Sequence, residues 1–178
     1  MTFSLIGRCE RSGMIGFAGA TSELAGGGRF PHAKAQTGAV ITQALTNPYL
    51  GHLGIKLLEL GYAPHKVLDD LVASDTHIEY RQIGVMDRFG RTAARTGTSN
   101  LDVAEHINEK NLISLGNRCN EGVVAAIAEG FRMSIDEDLE ERLMRALEAG
   151  RDAGGQRDMD QNISVLKVYD RDELARVD

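Results

Sequence analysis

The apolar residues of this chain change period along its length, and the changes mark its elements. Residues 2–7 (TFSLIG) and 14–20 (MIGFAGA) are strand-like and flank the turn RCERSG, so they read as a hairpin. Residues 22–30 (SELAGGGRF) form a glycine-rich loop. Residues 37–45 (TGAVITQAL) carry the strongest strand signal, with β-branched positions alternating until Asn47-Pro48 ends the run. The period then lengthens to that of a helix. In residues 49–61, Leu53, Leu57 and Leu60 fall at helical spacing before Gly61, a favoured C-terminal cap. In residues 64–74, Pro64 opens the segment and Val67, Leu68, Leu71 and Val72 share a face. Strands return at 81–87 and 91–97 around the turn DRFG, with Asp87 and Gly90 at its ends, and again at 111–117. Two more helices follow. Residues 121–133 hold Val123, Val124, Ile127 and Phe131 in a stripe; residues 136–150 hold Leu139, Leu143 and Leu147, with Glu141 and Arg145 spaced for a helical ion pair. Residues 162–170 (NISVLKVYD) alternate as a closing strand.

Helices thus come in pairs between groups of strands. A doubly wound parallel sheet needs one helix per strand and is disfavoured. Antiparallel hairpins with a helix pair for each outer face predict an α+β fold, a four-layer αββα sandwich with mainly antiparallel sheets. The 178 residues show no internal repeat and no boundary, so a single domain spanning 1–178 is expected. A chain of this length buries about two-thirds of its unfolded surface. Only residues 151–161 and the tail from 171 look loose.

Charge narrows the partners. The formal net charge is -6, basic residues form no long cluster, and aromatic residues make up 5% with no Trp. Neither a phosphate backbone nor a stacked base is served by that surface, so nucleic acid is not an expected partner. No apolar run approaches the ~20 residues of a membrane helix, so no membrane partner is expected and the cytoplasm is the expected compartment. Cys9 and Cys119 read as reduced, packed thiols. Cys119, near a helix start that favours a thiolate, is a minor candidate nucleophile. The five histidines form no paired metal motif. DTHIE sets Asp75, His77 and Glu79 at alternate positions, but reads better as a solvated loop than as a metal site. AGGGRF lacks the Lys-Ser/Thr of a phosphate loop and reads as a flexible turn. The acidic run DEDLEE suits a helix N-terminus.

Several segments in order carry a resemblance: MTFSLIG, GAVITQALTNPYLG, RQIGV, RTG, LGN before a helix, and ERLMRALEAGRDAGG. Together they resemble the domain-of-unknown-function family 1028, placed in the N-terminal nucleophile (Ntn) hydrolase superfamily, over most of residues 2–156. TQALTNP and the ALEAG helix end are the most specific parts. The chain departs from the family pattern in GGQRDMDQNISVLKV and around TSNLDVAEHINEKN. The superfamily's αββα sandwich matches the predicted element order.

The resemblance implies amide hydrolysis of a small molecule by the first residue of the mature chain. Removal of Met1, permitted by the small side chain that follows, makes Thr2 that residue. A threonine hydroxyl needs a base, and a free α-amine, with a pKa of about 7.7–8.0, can take its proton. No metal or organic cofactor is implied. Lys34 is placed as an ammonium that lowers the nucleophile's pKa, with a solvated surface role as its alternative. Asn117 is the favoured oxyanion donor, its alternative being a helix-start residue. Gln43, a polar group in a buried strand, joins Ser22, Asn47, Arg81 and Gln82 as substrate-binding candidates. Lys34 and Arg81 favour an anionic small molecule. The alternative is a non-catalytic small-molecule-binding or scaffold protein on the same fold, since a retained Met1 leaves Thr2 without a free amine. Superfamily members commonly assemble, and the helix face at Val123 and Ile127 offers a surface for a homo-oligomer, with core burial as its default role.

Overall fold

The computed structural model describes residues 1–157 and 163–172. Its first hairpin pairs β1 (Thr2–Arg8) with β2 (Ile15–Thr21), Thr2 lying opposite Thr21 and Arg8 opposite Ile15. Two helices follow the strands β3 (Pro31–Lys34) and β4 (Gly38–Ala44). The first, α1 (Pro48–Glu59), starts where Asn47 Oδ1 accepts the Tyr49 N–H at 3.2 Å and Pro48 occupies the first turn, so Asn47 is an N-cap. The second, α2 (Pro64–Ser74), matches the sequence reading end to end. Then come β5 (Arg81–Asp87), β6 (Thr92–Thr96), β7 (Ala104–Glu109) and β8 (Leu112–Asn117). The helices α3 (Val123–Met133) and α4 (Leu139–Asp152) precede β9 (Ile163–Tyr169).

The strands form two antiparallel sheets, ordered β7-β8-β1-β2-β9 and β3-β4-β5-β6. Three apolar clusters hold the layers together. Phe3 and Leu5 meet Ile127, Phe131 and Leu143 of α3 and α4. Ile6 and Phe17 meet Ile41 and Met86 between the sheets. Val40 and Val85 meet Leu50, Leu58, Val67 and Leu71 of α1 and α2. Strands packed on both faces explain why β2, and β1 up to Gly7, carry apolar or small residues instead of alternating. Close approach of α3 and α4 needs the paired Gly7 and Gly16: a Cβ there would lie 2.5 Å from the Phe131 ring and 2.8 Å from Leu143 Cδ1.

Several expectations are corrected. Two edge strands, β3 and β7, carry no strong strand signal in the sequence: β3 is short and opens on proline, and β7 is polar and mostly exposed. Arg145 pairs with Glu137 rather than with Glu141. Val123 and Ile127 are fully buried in the core, so they offer no assembly surface. Within the stretch read as loose, residues 151–152 finish α4 and Gln156 bridges to Cys119. Residues 158–162, and the tail beyond 172, lie outside the described residues. No described helix is long and apolar enough to cross a membrane.

Candidate active site at the start of β1

Thr2 begins the central strand of the five-stranded sheet, between Thr21 of β2 and Asn117 of β8. Its side chain is nearly buried, and its hydroxyl donates to Thr21 Oγ1 at 3.1 Å. The Thr21 hydroxyl in turn donates to the Met1 carbonyl at 2.9 Å. Met1 itself lines a cleft of about 550 Å3, shared with Ser22, Glu23, Tyr80, Leu101, Asn117 and Arg118. The Thr2 nitrogen is thus bonded to a residue that lines the cavity. Burial lowers the pKa of the Met1 α-ammonium, against the pull of the Glu23 carboxylate.

Beneath Thr2 lies a buried network without formal charge. Gln43 Nε2 donates to the Thr2 carbonyl at 3.4 Å and to Gln82 Oε1 at 2.8 Å, while Ser4 Oγ donates to Gln43 Oε1 at 2.6 Å. Gln82 Nε2 reaches back to the Gly116 and Glu105 carbonyls at 2.8 Å each. Asn117 Nδ2 donates to Gln82 Oε1 at 3.3 Å. Gln43 and Gln82 come from the four-stranded sheet, paired directly across β4 and β5, and Thr2, Ser4 and Asn117 from the five-stranded one. Two glutamines thus bolt the sheets together under the first residue of β1, meeting the requirement that buried amides be paired.

The chain matches the model of a family of unknown function, DUF1028, over residues 2–178. The chain belongs to the DUF1028 family. The match runs through the region after residue 156, including the stretch GGQRDMDQNISVLKV that departs from the family pattern. Among solved structures, this DUF1028 protein is similar to protein SPO2555 from Silicibacter pomeroyi, itself a DUF1028 protein, with a TM-score of 0.87 and 29% identity. The similarity covers 95% of this chain and 76% of the other. No curated protein matches the DUF1028 chain.

Of the candidate residues, Thr2, Ser22, Gln43, Gln82 and Asn117 converge, with Ser22 and Asn117 lining the cleft. Lys34 does not join them. It pairs with Gly38 at the far end of β4, five residues or about 17 Å of strand from Gln43, and its ammonium meets Glu59 on α1 at 2.5 Å. Asn47 caps α1 and donates to Asp75 at 3.1 Å. Arg81 is buried in an ion pair with Asp75 at 2.9 Å and also donates to the Leu45 carbonyl, so it braces the wall of the cleft from behind. Neither Lys34 nor Arg81 stands in the cleft, whose described lining carries Arg118 as its cationic side chain and Glu23 as its anionic one. Burial works to raise the Asp75 carboxyl, but hydrogen bonds from Arg81, the His77 N–H and Asn47 outweigh it and hold the group at about 2. The DTHIE carboxylates are occupied in this way, Glu79 by Thr98 and Arg95.

Cys119 is corrected as a nucleophile. It lies four residues before α3, and burial pushes its thiol up to about 11 while the Sγ contacts the Thr2 carbonyl at 3.7 Å. Sequence reasoning missed Thr21 and Gln156. Thr21 was legible only as the residue facing Thr2 across the hairpin. Gln156 sits in a loop whose composition signals nothing but a turn.

Proposed function

We propose that this protein is an amidohydrolase that cleaves an amide bond of a small molecule with Thr2 as nucleophile. The observation that carries the reading is the position of Thr2 at the head of the central strand, its nitrogen bonded to Met1, which lines the cleft. The stacking of helix pair, sheet, sheet and helix pair supports an αββα sandwich of the Ntn-hydrolase kind. Cleavage of the Met1–Thr2 bond frees the Thr2 amine. That amine takes the proton of the Thr2 hydroxyl as Oγ1 attacks the substrate carbonyl. The carbon–nitrogen bond breaks, the leaving amine departs with the proton, and an ester remains on Thr2. Water activated by the same amine then hydrolyses the ester and restores the hydroxyl. Gln43, bonded to the Thr2 carbonyl, fixes the backbone of the nucleophile.

The test is turnover of a panel of small amides by protein whose intact mass confirms loss of Met1. Thr2→Ala is expected to fall to the background rate with its melting temperature nearly unchanged, and Thr2→Ser to keep part of the activity. Equal turnover by wild type and Thr2→Ala would sink the reading.

A second reading keeps the apolar-walled cleft beside Met1 as a small-molecule site without turnover, a role that needs no cleavage of the Met1–Thr2 bond. If the bond persists in the cell, the cleft is a binding site, and a ligand would raise the melting temperature without being consumed.

A further inference from the structure

The Met1 carbonyl oxygen accepts from three donors: Thr21 Oγ1 at 2.9 Å, Gln156 Nε2 at 2.5 Å and the Ser22 N–H at 3.4 Å. A neutral peptide carbonyl needs no such company, having two lone pairs and ordinarily one partner. Converging donors suit an oxygen that becomes an anion. We infer that this cradle holds the carbonyl oxygen of the substrate during attack by Thr2, with Gln156 as its side-chain amide donor, and that the acyl half of the substrate is an apolar group about the size of methionine. This inference rests on the amidohydrolase reading above.

The geometry follows from the chemistry of threonine. Its nitrogen and its Oγ1 are separated by only two carbons, so an acyl group on either atom occupies nearly the same volume. Met1 is an acyl group on the nitrogen. It therefore marks where an acyl group on Oγ1 would lie, and its carbonyl oxygen marks where the oxyanion would form.

Gln156 is built for the position. It is almost buried, its Nε2 also donates to the Ala20 carbonyl at 3.3 Å, and its buried Oε1 has no partner among the described residues. The side chain is thus held by what it donates. The loop carrying it is pinned on both sides: the Asn120 N–H donates to the Gly155 carbonyl and the Arg157 N–H to the Arg118 carbonyl, each at 2.9 Å. Asn117, the donor expected from the sequence, is turned instead toward Gln82. The cleft beyond the cradle is walled by Leu45, Tyr80 and Leu101, all well exposed, while its charged lining residues, Glu23 and Arg118, are opposite in sign, so the apolar walls set the acyl class.

The experiment uses full-length protein with Thr2 as its first residue, obtained by removing a cleavable leader. Hydrolysis of methionine 4-nitroanilide and glutamate 4-nitroanilide is followed, with inhibition by methionine aldehyde and by the matching alcohol. Gln156→Met keeps the shape and loses the donor; Thr21→Val removes the second donor if the first variant fails to fold and, because it also removes the acceptor of the Thr2 hydroxyl, is read through the aldehyde preference. The expected result is a loss of about 10²–10³-fold in kcat with KM little changed. The preference for the aldehyde, whose adduct on Thr2 carries the oxyanion, over the alcohol should fall in parallel. Folded variants that keep the wild-type kcat and aldehyde preference would overturn the cradle. Wild type that hydrolyses other amides but not the methionine anilide, or that prefers the glutamate anilide, would overturn the acyl class. Activity that survives Thr2→Ala, or no activity on any amide, would instead defeat the underlying amidohydrolase reading.

Discussion

β1 has a cysteine at each end, and the two thiols are held in opposite conditions. Cys119 touches the Thr2 carbonyl at the head of the strand, where burial pushes it up to about 11 against the pull of the Asn117 backbone and the Met1 ammonium. Cys9 follows the last residue of the strand. Burial works to raise its pKa too, but the Ser12 hydroxyl and the N–H groups of Ser12 and Arg11 outweigh it and draw the thiol down to about 7. Both side chains are nearly buried, so burial alone does not decide the charge of a group here. The surrounding donors do. At the Thr2 end the amides of Gln43, Gln82 and Asn117 are turned toward one another and toward carbonyls. At the Cys9 end, donors converge on the sulfur.

The contrast can be broken or sharpened at several points. The largest expected effect is on the thiols themselves: their titration midpoints, about 7 and about 11, lie about four pH units apart. Thiolate absorbance should rise near pH 7 in Cys119→Ser and stay low past pH 9 in Cys9→Ser. Coincident titrations would show that the two ends are electrostatically alike. Next in size, Gln82→Leu would strip the acceptor from Gln43 Nε2 and Asn117 Nδ2 in a buried site. Two unpaired donors at about 1–3 kcal/mol each should lower the stability measured by urea unfolding. Gln82 Nε2 also donates to Thr96 Oγ1, which meets His106 Nδ1 at 2.9 Å, and burial lowers the pKa of that imidazole, so the loss should be the same at pH 8 and pH 9, where the ring is neutral. A strong pH dependence would mean that a hidden charge shares the network.

The smallest effect concerns Asp75, the charged brace behind the cleft. Its carboxyl sits below its ordinary value, so its contribution to stability is full above about pH 4 and disappears as pH falls toward 2. Asp75→Asn should flatten the acid limb of the stability profile between those values and leave stability near pH 9 to pH 7 parallel to wild type. An unchanged acid limb would show that the Arg81 pair contributes nothing there.

What was legible in the sequence divides along a physical line. Strands packed on both faces, such as β1, β4 and β5, and the helices with apolar stripes announce themselves, because burial selects their residues position by position. β3 and β7 do not: each is paired on one side only, and an edge strand must stay polar or short to avoid further pairing. At the candidate site, Gln43 was visible as a polar residue inside an apolar strand, whereas Thr2 stood out through the family resemblance. Lys34 was misplaced because linear proximity to a strong strand does not say which end of the strand a residue meets. Gln156 reaches the head of β1 from 154 positions along the chain, and only the antiparallel closure of the five-stranded sheet brings it there.

The nesting of the two sheets in the chain has a consequence for synthesis. β3 to β6 and the helices α1 and α2 lie in one continuous stretch, residues 31–96, so the four-stranded sheet and its covering helices are complete while the ribosome is still translating the rest. The five-stranded sheet is split around that stretch: the first hairpin must wait for β8 and β9 to arrive from beyond residue 111. Pairings so distant in sequence form slowly. The emerging chain therefore holds β1 and β2 with unsatisfied edges until its last third has left the tunnel, and that interval is when a chaperone would have most to protect.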